Sequence, residues 1–387
     1  MHIALWDGAE WNSLGSGMND DVYALSVFNG ELIAAGYFTQ AGGTSANYIA
    51  KWNGSAWLPL GTGMNNFISS LLVFNGELYA GGAFTTAGGS GANRIARWNG
   101  SVWQPLGSGT NNVVTSMEVY NNELIAGGTF STAGGNTANR TARWNGTQWQ
   151  SLGFGMNSSV FDLEIFNGEL LAAGAFTTAD GNEADKIAKW TGSGWSSFSQ
   201  DEITGSSAAV NKMYSYNGQL YIGGFFAEIN SQQIRNVAKW NGTNWISSGN
   251  FNNAVYTFNT FSSSFVAGGS FTAAGSASMN FISGYSLKTT GIQAVSENIP
   301  DGFILRQNYP NPFNPNTVIG FTIPARSEID LSVYDISGRK ISGIVNDVMN
   351  KGEYTYNWNA AGLPSGIYFY ILRSGNIKLS GKMILLK

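Results

Sequence analysis

Apolar and polar positions alternate along most of the chain in short runs broken by Asn, Gly and Ser. This is the period-2 pattern of half-buried β-strands, not the 3.6-residue period of helices. The runs recur in register. Trp6, Trp52, Trp98, Trp144, Trp190 and Trp240 stand 46, 46, 46, 46 and 50 residues apart, and Trp11, Trp57, Trp103, Trp149, Trp195 and Trp245 repeat those intervals. Asn-Gly pairs at 29–30, 75–76, 167–168 and 217–218, with Asn121-Asn122 in one copy, keep step with Gly pairs at 81–82, 127–128, 223–224 and 268–269. One copy predicts four strands. ISSLLVFN (68–75) and ELYAGGAF (77–84) flank Asn75-Gly76, and IARW (95–98) and VWQPLG (102–107) flank Asn99-Gly100. Asn-Gly between β-prone runs signals a type I′ hairpin, because both residues tolerate positive φ.

Four antiparallel strands in ~40–45 residues make a propeller blade, and a blade cannot bury both faces alone, so blades stack in a ring. First hairpins begin near 22, 68, 114, 160, 210 and 254, so an all-β fold is expected, with residues 1–287 as a six-bladed β-propeller. The chain opens inside a repeat, since IALWDGAEWNSLG (3–15) matches IAKWNGSAWLPLG (49–61). The last copy, 254–287, has Tyr285 where Trp stood and no evident fourth strand. The segment around 10–14 is expected to supply that strand and close the ring, with one N-terminal strand left over.

Composition narrows the chemistry. The 387 residues carry 20 Lys plus Arg, 24 Asp plus Glu, one His and no Cys, for a net charge of −4. Without Cys there is no disulfide framework, thiol nucleophile or thiolate metal site. A single His2 removes multi-histidine metal sites and His-based triads. The slight negative charge argues against nucleic acid, and no apolar run is long enough to span a bilayer as a helix. No cofactor, no metal and no transmembrane segment are expected.

Topology suggests where a ligand would meet the repeats. The turns joining strands one to two and three to four lie at one end, and longer loops such as FTTAGGSGANR (84–94) and LGTGMNN (60–66) lie at the other. Binding residues concentrate on longer loops held by a rigid scaffold. The candidate ligand face therefore comprises Met18, Asn19, Asp20, Met64, Asn65, Asn66, Asn93, Arg94, Asn111, Asn112, Asn139, Arg140, Met156, Asn157, Asp185 and Lys186. The plainer reading is that these Asn and Gly residues satisfy local backbone geometry. The Trp rows read as inter-blade packing and not as sugar platforms. Lys51, Arg97, Arg143, Lys189 and Lys239, with Glu31, Glu77, Glu123 and Glu169, read as paired or solvated rims. Asp180-Gly-Asn-Glu-Ala-Asp185 concentrates oxygens but lacks the full calcium-loop pattern, so it reads as an acidic solvated loop. Asp162 and Glu164 also depart from the repeat, with no acid/base partner evident in the sequence.

The repeat resembles Kelch-like and other secreted bacterial propellers, including that of galactose-oxidase-like proteins, in blade pattern alone. The copper site of that family uses His and a Cys-modified Tyr, which a chain without Cys cannot build. Asn53-Gly54-Ser55-Ala56-Trp57 resembles the Asp-box of sialidases with different spacing.

After Leu287 the pattern changes. KTTGIQAVSENIPDG (288–302) reads as a linker. TVIGFTIP (317–324), IDLSVYDISGRKI (329–341), EYTYNWN (353–359), GIYFYILRSG (366–375) and KLSGKMILLK (378–387) predict a small Ig-like β-sandwich over 303–387. Here QNYPNPFNP (307–315), VYDISGR (333–339), LPSGIY (363–368) and KMILLK (382–387) resemble, in order and spacing, the type A C-terminal sorting domain of the type IX secretion system. The matching positions are Asn308, Pro310, Asn311, Pro312, Phe313, Asn314, Pro315, Gly338, Arg339, Gly366 and Lys387. The resemblance implies a cargo tag of Bacteroidota and their relatives, read by the type IX machinery after export to the periplasm. It implies release from the cell or attachment to its surface, and no catalytic residues. MHIALW (1–6) has no basic region, apolar core or cleavage site, so the signal peptide that such a cargo needs is not here and the start reads as truncated.

The expectation is a monomeric, non-catalytic binding or adhesion module for an extracellular glycan or protein, secreted or surface-attached. The alternatives are a glycan-active enzyme and a purely structural surface repeat. Catalysis usually breaks repeat symmetry at one or two repeats, so non-repeat polar residues converging at the channel mouth would tell them apart.

Overall fold

The structure is a computed structural model describing residues 2–7, 10–216, 218–261, 264–274, 277–278, 281–285, 303–336, 338–349, 352–375 and 377–386. The expected linker 288–302, Asn217 and Lys387 lie outside the described residues. The chain divides into two compact units, Met1–Lys288 and Thr289–Lys387.

Among the described residues of the first unit, five four-stranded antiparallel sheets follow one another. The second is built from Ile68–Phe74, Glu77–Gly82, Ile95–Trp98 and Trp103–Pro105, paired in chain order from the innermost strand outward. The inner turn is the type I′ hairpin expected, with φ of 49° at Asn75 and 74° at Gly76. The outer turn differs. Only Gly100 takes positive φ, at 99°, while Asn99 Oδ1 accepts hydrogen bonds from the amides of Ser101 and Val102 at 2.9 and 3.0 Å. It is an Asx-capped loop, in which a side chain replaces one backbone bond of the turn.

The Gly pairs answer to crowding. A Cβ on Gly82 would lie 2.2 Å from the Phe67 carbonyl oxygen, at the register shift of the inner hairpin. The expected long loop 84–94 is itself a small hairpin, Thr86–Ala87 paired with Ser90–Gly91.

Successive sheets pack face to face. Ile33, Ala35 and Ile49 of the first repeat share a core with Ile68, Leu78, Ala80 and Trp103 of the second. The fourth-strand tryptophans are buried and hydrogen-bond across the seam: Trp57, Trp103, Trp149 and Trp195 Nε1 donate to the carbonyls of Leu14, Leu60, Leu106 and Leu152 at 2.9–3.1 Å. Each packs at a steep tilt against its third-strand partner, as in Trp98–Trp103 at 5.4 Å and 52°. The rim charges pair within a sheet, Lys51 with Glu31 at 2.9 Å and Arg97 with Glu77 at 3.0 Å.

The expected closure does not form among the described residues. The last repeat is a three-stranded sheet of Val255–Phe261, Ser264–Gly269 and Ile282–Tyr285, and Trp11–Ser13 pairs with Ala4–Trp6 instead of joining it. The physical reason is local: the hairpin Ala4–Trp6 with Trp11–Ser13 takes the strand edge that Ile282–Tyr285 would need, and Ile3 and Leu14 pack on the first repeat with Trp57 and Ala50. The N-terminal pair thus sits where third and fourth strands of a preceding repeat would sit.

In the second unit, Ile304–Leu305, Asn316–Ile323 and Gly352–Asn359 form one sheet. Lys340–Met349, Ser327–Asp335, Gly366–Ser374 and Ile377–Leu385 form the other. Both contribute to one core, with Ile319 and Phe321 against Leu331, Val333, Tyr370 and Met383. The run 329–341 holds two strands, because the chain turns at Gly338, where φ is 81°.

Candidate functional site

Most of the expected ligand-face side chains hold the scaffold. Asn65 Oδ1 accepts from the amides of Thr85 and Thr86 at 2.8 and 3.0 Å, and its Nδ2 donates to Thr85 Oγ1 at 2.8 Å. Asn19, Asn111 and Asn157 do the same in their repeats. Asp20, Asn66 and Asn112 each accept from the next residue's amide. Asn93 and Asn139 reach the adjoining repeat, donating to the carbonyls of Ser108 and Phe154 at 3.0 and 2.9 Å. Met18, Met64 and Met156 are buried, bridged to Ala41, Ala87 and Ala179. Asp185 pairs with the buried Lys186 and accepts from the Ile203 amide at 2.6 Å.

Asn65→Ala should lower stability by about 1–2 kcal/mol, since two amides lose their acceptor. Hydrogen exchange at Thr85 and Thr86 would then accelerate.

Two shallow clefts open on this face. One of about 260 Å³ is lined by Asn93, Arg94 and Asn111, with Thr110 and Thr132. Arg94 and Arg140 adopt φ of 66° and 69°, held by amide bonds to the Phe84 and Phe130 carbonyls at 2.8 Å. The other cleft, about 350 Å³, is lined by Asn139, Ser151 and Phe154. Phe154 is 81% exposed and stands where Ser16, Thr62 and Ser108 stand in other repeats. Its backbone is fixed by Asp180, whose Oδ1 accepts from the Phe154 and Gly155 amides at 2.7 and 2.9 Å, while Oδ2 accepts from Trp195 N at 2.7 Å. Asp180 is therefore a backbone clamp and not part of an oxygen cage with Asp185. Among the described residues, the acids and His that could share an ion are instead His2, Asp20 and Asp21.

A second cluster lies on the innermost strands. Ser116, Asp162 and Lys212 hold one register position in three consecutive repeats, opposite Gly127, Ala173 and Gly223. Asp162 is 3% exposed; its Oδ1 accepts from Lys212 Nζ at 2.7 Å and its Oδ2 from Met213 N at 2.8 Å. Ser116 Oγ lies 3.3 Å from Asp162 Oδ1. Two positions on, Glu118 and Glu164 hold the next shared position, opposite Ile125 and Leu171. Burial pushes the Glu164 carboxyl up to about 7, helped by the neighbouring Asp162 charge, and burial also raises Glu118. Asp162 and the two glutamates hold the Lys212 ammonium above its ordinary value against the opposing effect of burial. The partner missing from the sequence reading of Asp162 is thus 50 residues on. Aligning the repeats column by column would have found it, because Asp and Lys occupy one column in adjacent copies.

A raised carboxyl keeps its proton when folded while the unfolded chain loses it. Glu164 therefore destabilises the fold progressively as pH rises from about 4.5 to about 7, and by a constant amount above that. Melting curves should show this slope, and Glu164→Gln should flatten it.

The tail signature builds a clasp. Phe313 is 2% exposed and pairs in parallel with Leu385; its amide donates to the Ile384 carbonyl at 2.9 Å, and its carbonyl accepts from Leu386 N at 3.0 Å. Asn311 Oδ1 accepts from Ile384 N at 2.8 Å. The buried Asn308 donates to Thr317 Oγ1 and to the Pro310 carbonyl at 2.8 and 3.1 Å. Pro310 and Pro312 follow cis bonds, Pro315 accepts from Ala360 N, and Asn314 is exposed. Arg339 Nε closes on Asp335 at 3.0 Å around Gly338, leaving Ile336 77% exposed at the tip. Gly366 pairs with Leu385.

A stack of four-stranded repeats followed by such a tail defines an exported β-propeller protein. Residues 307–386 match the secretion system C-terminal sorting domain, here that of type IX secretion. Residues 29–53 and 75–100 match the β-propeller domain of unknown function DUF5122. The sorting tail makes this a secreted or cell-surface protein. No curated protein matches the chain. Among solved structures it is similar to PorZ, described as an essential bacterial surface component of the type-IX secretion system of Porphyromonas gingivalis. The similarity has 12% identity and a TM-score of 0.44, over 99% of this chain and 55% of that one. The chain thus spans about half of PorZ's length.

Proposed function

We propose that the protein is an exported, non-catalytic recognition module. In this reading its six repeats form a propeller that binds an extracellular glycan or protein on the long-loop face, and an Ig-like tail directs its export. The observation that carries the reading is Phe154, an 81% exposed aromatic clamped by Asp180 in the cleft beside Asn139. An exposed ring on a fixed backbone is a ready stacking surface for a sugar ring or a peptide side chain. Arg94 adds a cation at the neighbouring cleft.

The test is a screen of the full chain against glycan and surface-protein arrays. Phe154→Ala and Arg94→Asn (Asn keeps a residue tolerant of positive φ) should weaken a hit by at least about tenfold, or ~1.4 kcal/mol. Gln148→Ala, at the tight-turn end, should not. A hit lost only with Gln148→Ala overturns the face.

A glycan-active enzyme is the second reading, favoured by Glu164 held near neutrality beside Asp162. Hydrolysis of a glycan panel abolished by Glu164→Gln would establish it in place of the first.

A further inference from the structure

Four aromatic rings meet at the seam between the first and second repeats, both of which are complete four-stranded sheets. Tyr23 lies 5.9 Å from Phe67 at 88°, Phe67 lies 5.9 Å from Tyr37 at 41°, and Tyr37 lies 6.3 Å from Tyr48 at 77°. Tyr23 and Tyr37 are 51% and 48% exposed, and Tyr48 and Phe67 are half-buried. The rings depart from the repeat. Ala83, Thr129, Ala175 and Ser270 make the backbone bond that Tyr37 makes here, Arg94, Arg140 and Lys186 make that of Tyr48, and Val113 and Ser159 make that of Phe67. Phe225 of the fifth repeat shares the column of Tyr37 and is 43% exposed, so this position faces solvent with a repeat packed on either side.

Acids border the rings. The Tyr37 amide donates to the Asp21 carbonyl at 2.8 Å, and the carboxylates of Asp20 and Asp21 approach within 4.8 Å of one another. Burial raises the pKa of the Tyr23 hydroxyl, helped by the charges of Asp21 and Asp20. Asp21 meets His2 at 3.2 Å, and among the described residues neither acid pairs with a Lys or an Arg. In the next three repeats the column of Tyr48 supplies a cation. Here it supplies a ring, so negative charge and aromatic faces stand together without one.

Rings set at 77° and 88° to their neighbours make no flat platform for consecutive sugars of a glycan. They suit a compact cation, which is drawn to ring faces and to carboxylates alike. Arginine answers both, because its planar guanidinium stacks on aromatic faces and forks onto carboxylates. The tail makes such a contact itself, with Arg373 Cζ 5.6 Å from the centre of the Tyr334 ring. We propose that Tyr23, Tyr37, Tyr48 and Phe67, with Asp20 and Asp21, form a site for an arginine side chain of a basic partner polypeptide. The site shares no residue with the Phe154 cleft, so either can fail alone.

The probe is fluorescein-labelled hexa-arginine, titrated with the full chain and followed by anisotropy. The buffer holds about 0.15 M salt, which screens distant charges, and EDTA, which strips any metal from the acids. Saturable binding is expected, and Phe154→Ala should not change it. Tyr37→Ala, the residue of two other repeats in this column, should weaken it about two- to fivefold, the worth of one exposed cation–π contact. Tyr48→Arg places a like charge in the site and should weaken it at least about tenfold. That variant keeps the fold, since Arg94 and Arg140 hold this position at φ of 66° and 69° and Tyr48 at 66°. Asp21→Asn should weaken binding at least about threefold, whereas Glu183→Gln, at an exposed acid of the fourth repeat, should not. Hexa-lysine should bind more weakly, because an ammonium does not stack. No saturable binding, parent-like binding by Tyr37→Ala and Tyr48→Arg, or hexa-lysine bound as tightly as hexa-arginine overturns the proposal. A neutral glycan whose binding is lost in Tyr37→Ala and kept in Asp21→Asn also overturns it, giving the rings to sugars instead.

Discussion

Asp162→Ser is expected to destabilise the propeller unit by about 3–5 kcal/mol, although Ser is the residue that the preceding repeat carries at this position. The change removes the carboxylate that pairs with Lys212 at 2.7 Å and satisfies Met213 N at 2.8 Å. It leaves an ammonium among half-buried groups and an orphaned buried amide, each costly without a partner. Glu164 and Glu118, both of which act on the Lys212 ammonium, offset part of the loss. The second substitution Lys212→Thr restores the residue type of the last repeat, where Thr257 stands. It should recover most of the stability, so that the double variant melts above the single. Chemical unfolding of the four proteins of this cycle measures the coupling directly. A double variant no more stable than Asp162→Ser would mean that the pair is not what holds these strands together.

Phe313→Ala should have a comparable effect on the tail, about 3–5 kcal/mol for deleting a fully buried ring. Against the ~5–15 kcal/mol that holds a typical domain together, that removes much of the stability of a small sandwich and opens the clasp more often. In a host with type IX machinery, the variant should accumulate inside the outer membrane while the parent reaches the surface or medium. Ile336→Ala, at an exposed tip, should leave melting unchanged. If Phe313→Ala is exported like the parent, the machinery reads a linear sequence and not the folded clasp.

Much of the repeat was legible because its signals are local. Asn75-Gly76 dictates a type I′ turn from two residues, and the fixed Trp spacing dictates that the turn recurs. The outer turn was misread because Asn99-Gly100 carries the same dipeptide. There, Asn99 caps the amides of Ser101 and Val102 instead of taking positive φ itself. Asn65 illustrates the limit on the site side. An Asn repeated in most copies marks either a ligand contact or a scaffold bond, and only geometry reveals that its amide already has three partners. The exposed Phe154 and the Asp162–Lys212 pair went unrecognised for the opposite reason. Each is a single departure whose meaning lies in residues of neighbouring repeats, 26 and 50 positions away. The expected closing strand does not join the last repeat among the described residues because strand counting ignores competition: Trp11–Ser13 pairs with its neighbour in sequence, Ala4–Trp6.

The parallel pairing of Phe313 with Leu385 ties the signature at the start of the tail to its last strand. The ribosome delivers the first half of the clasp some 70 residues before the second. A chain broken off anywhere in between carries the signature QNYPNPFNP yet has nothing to close it upon. A receptor that reads the closed form would pass chains that carry both halves of the clasp and leave broken ones behind.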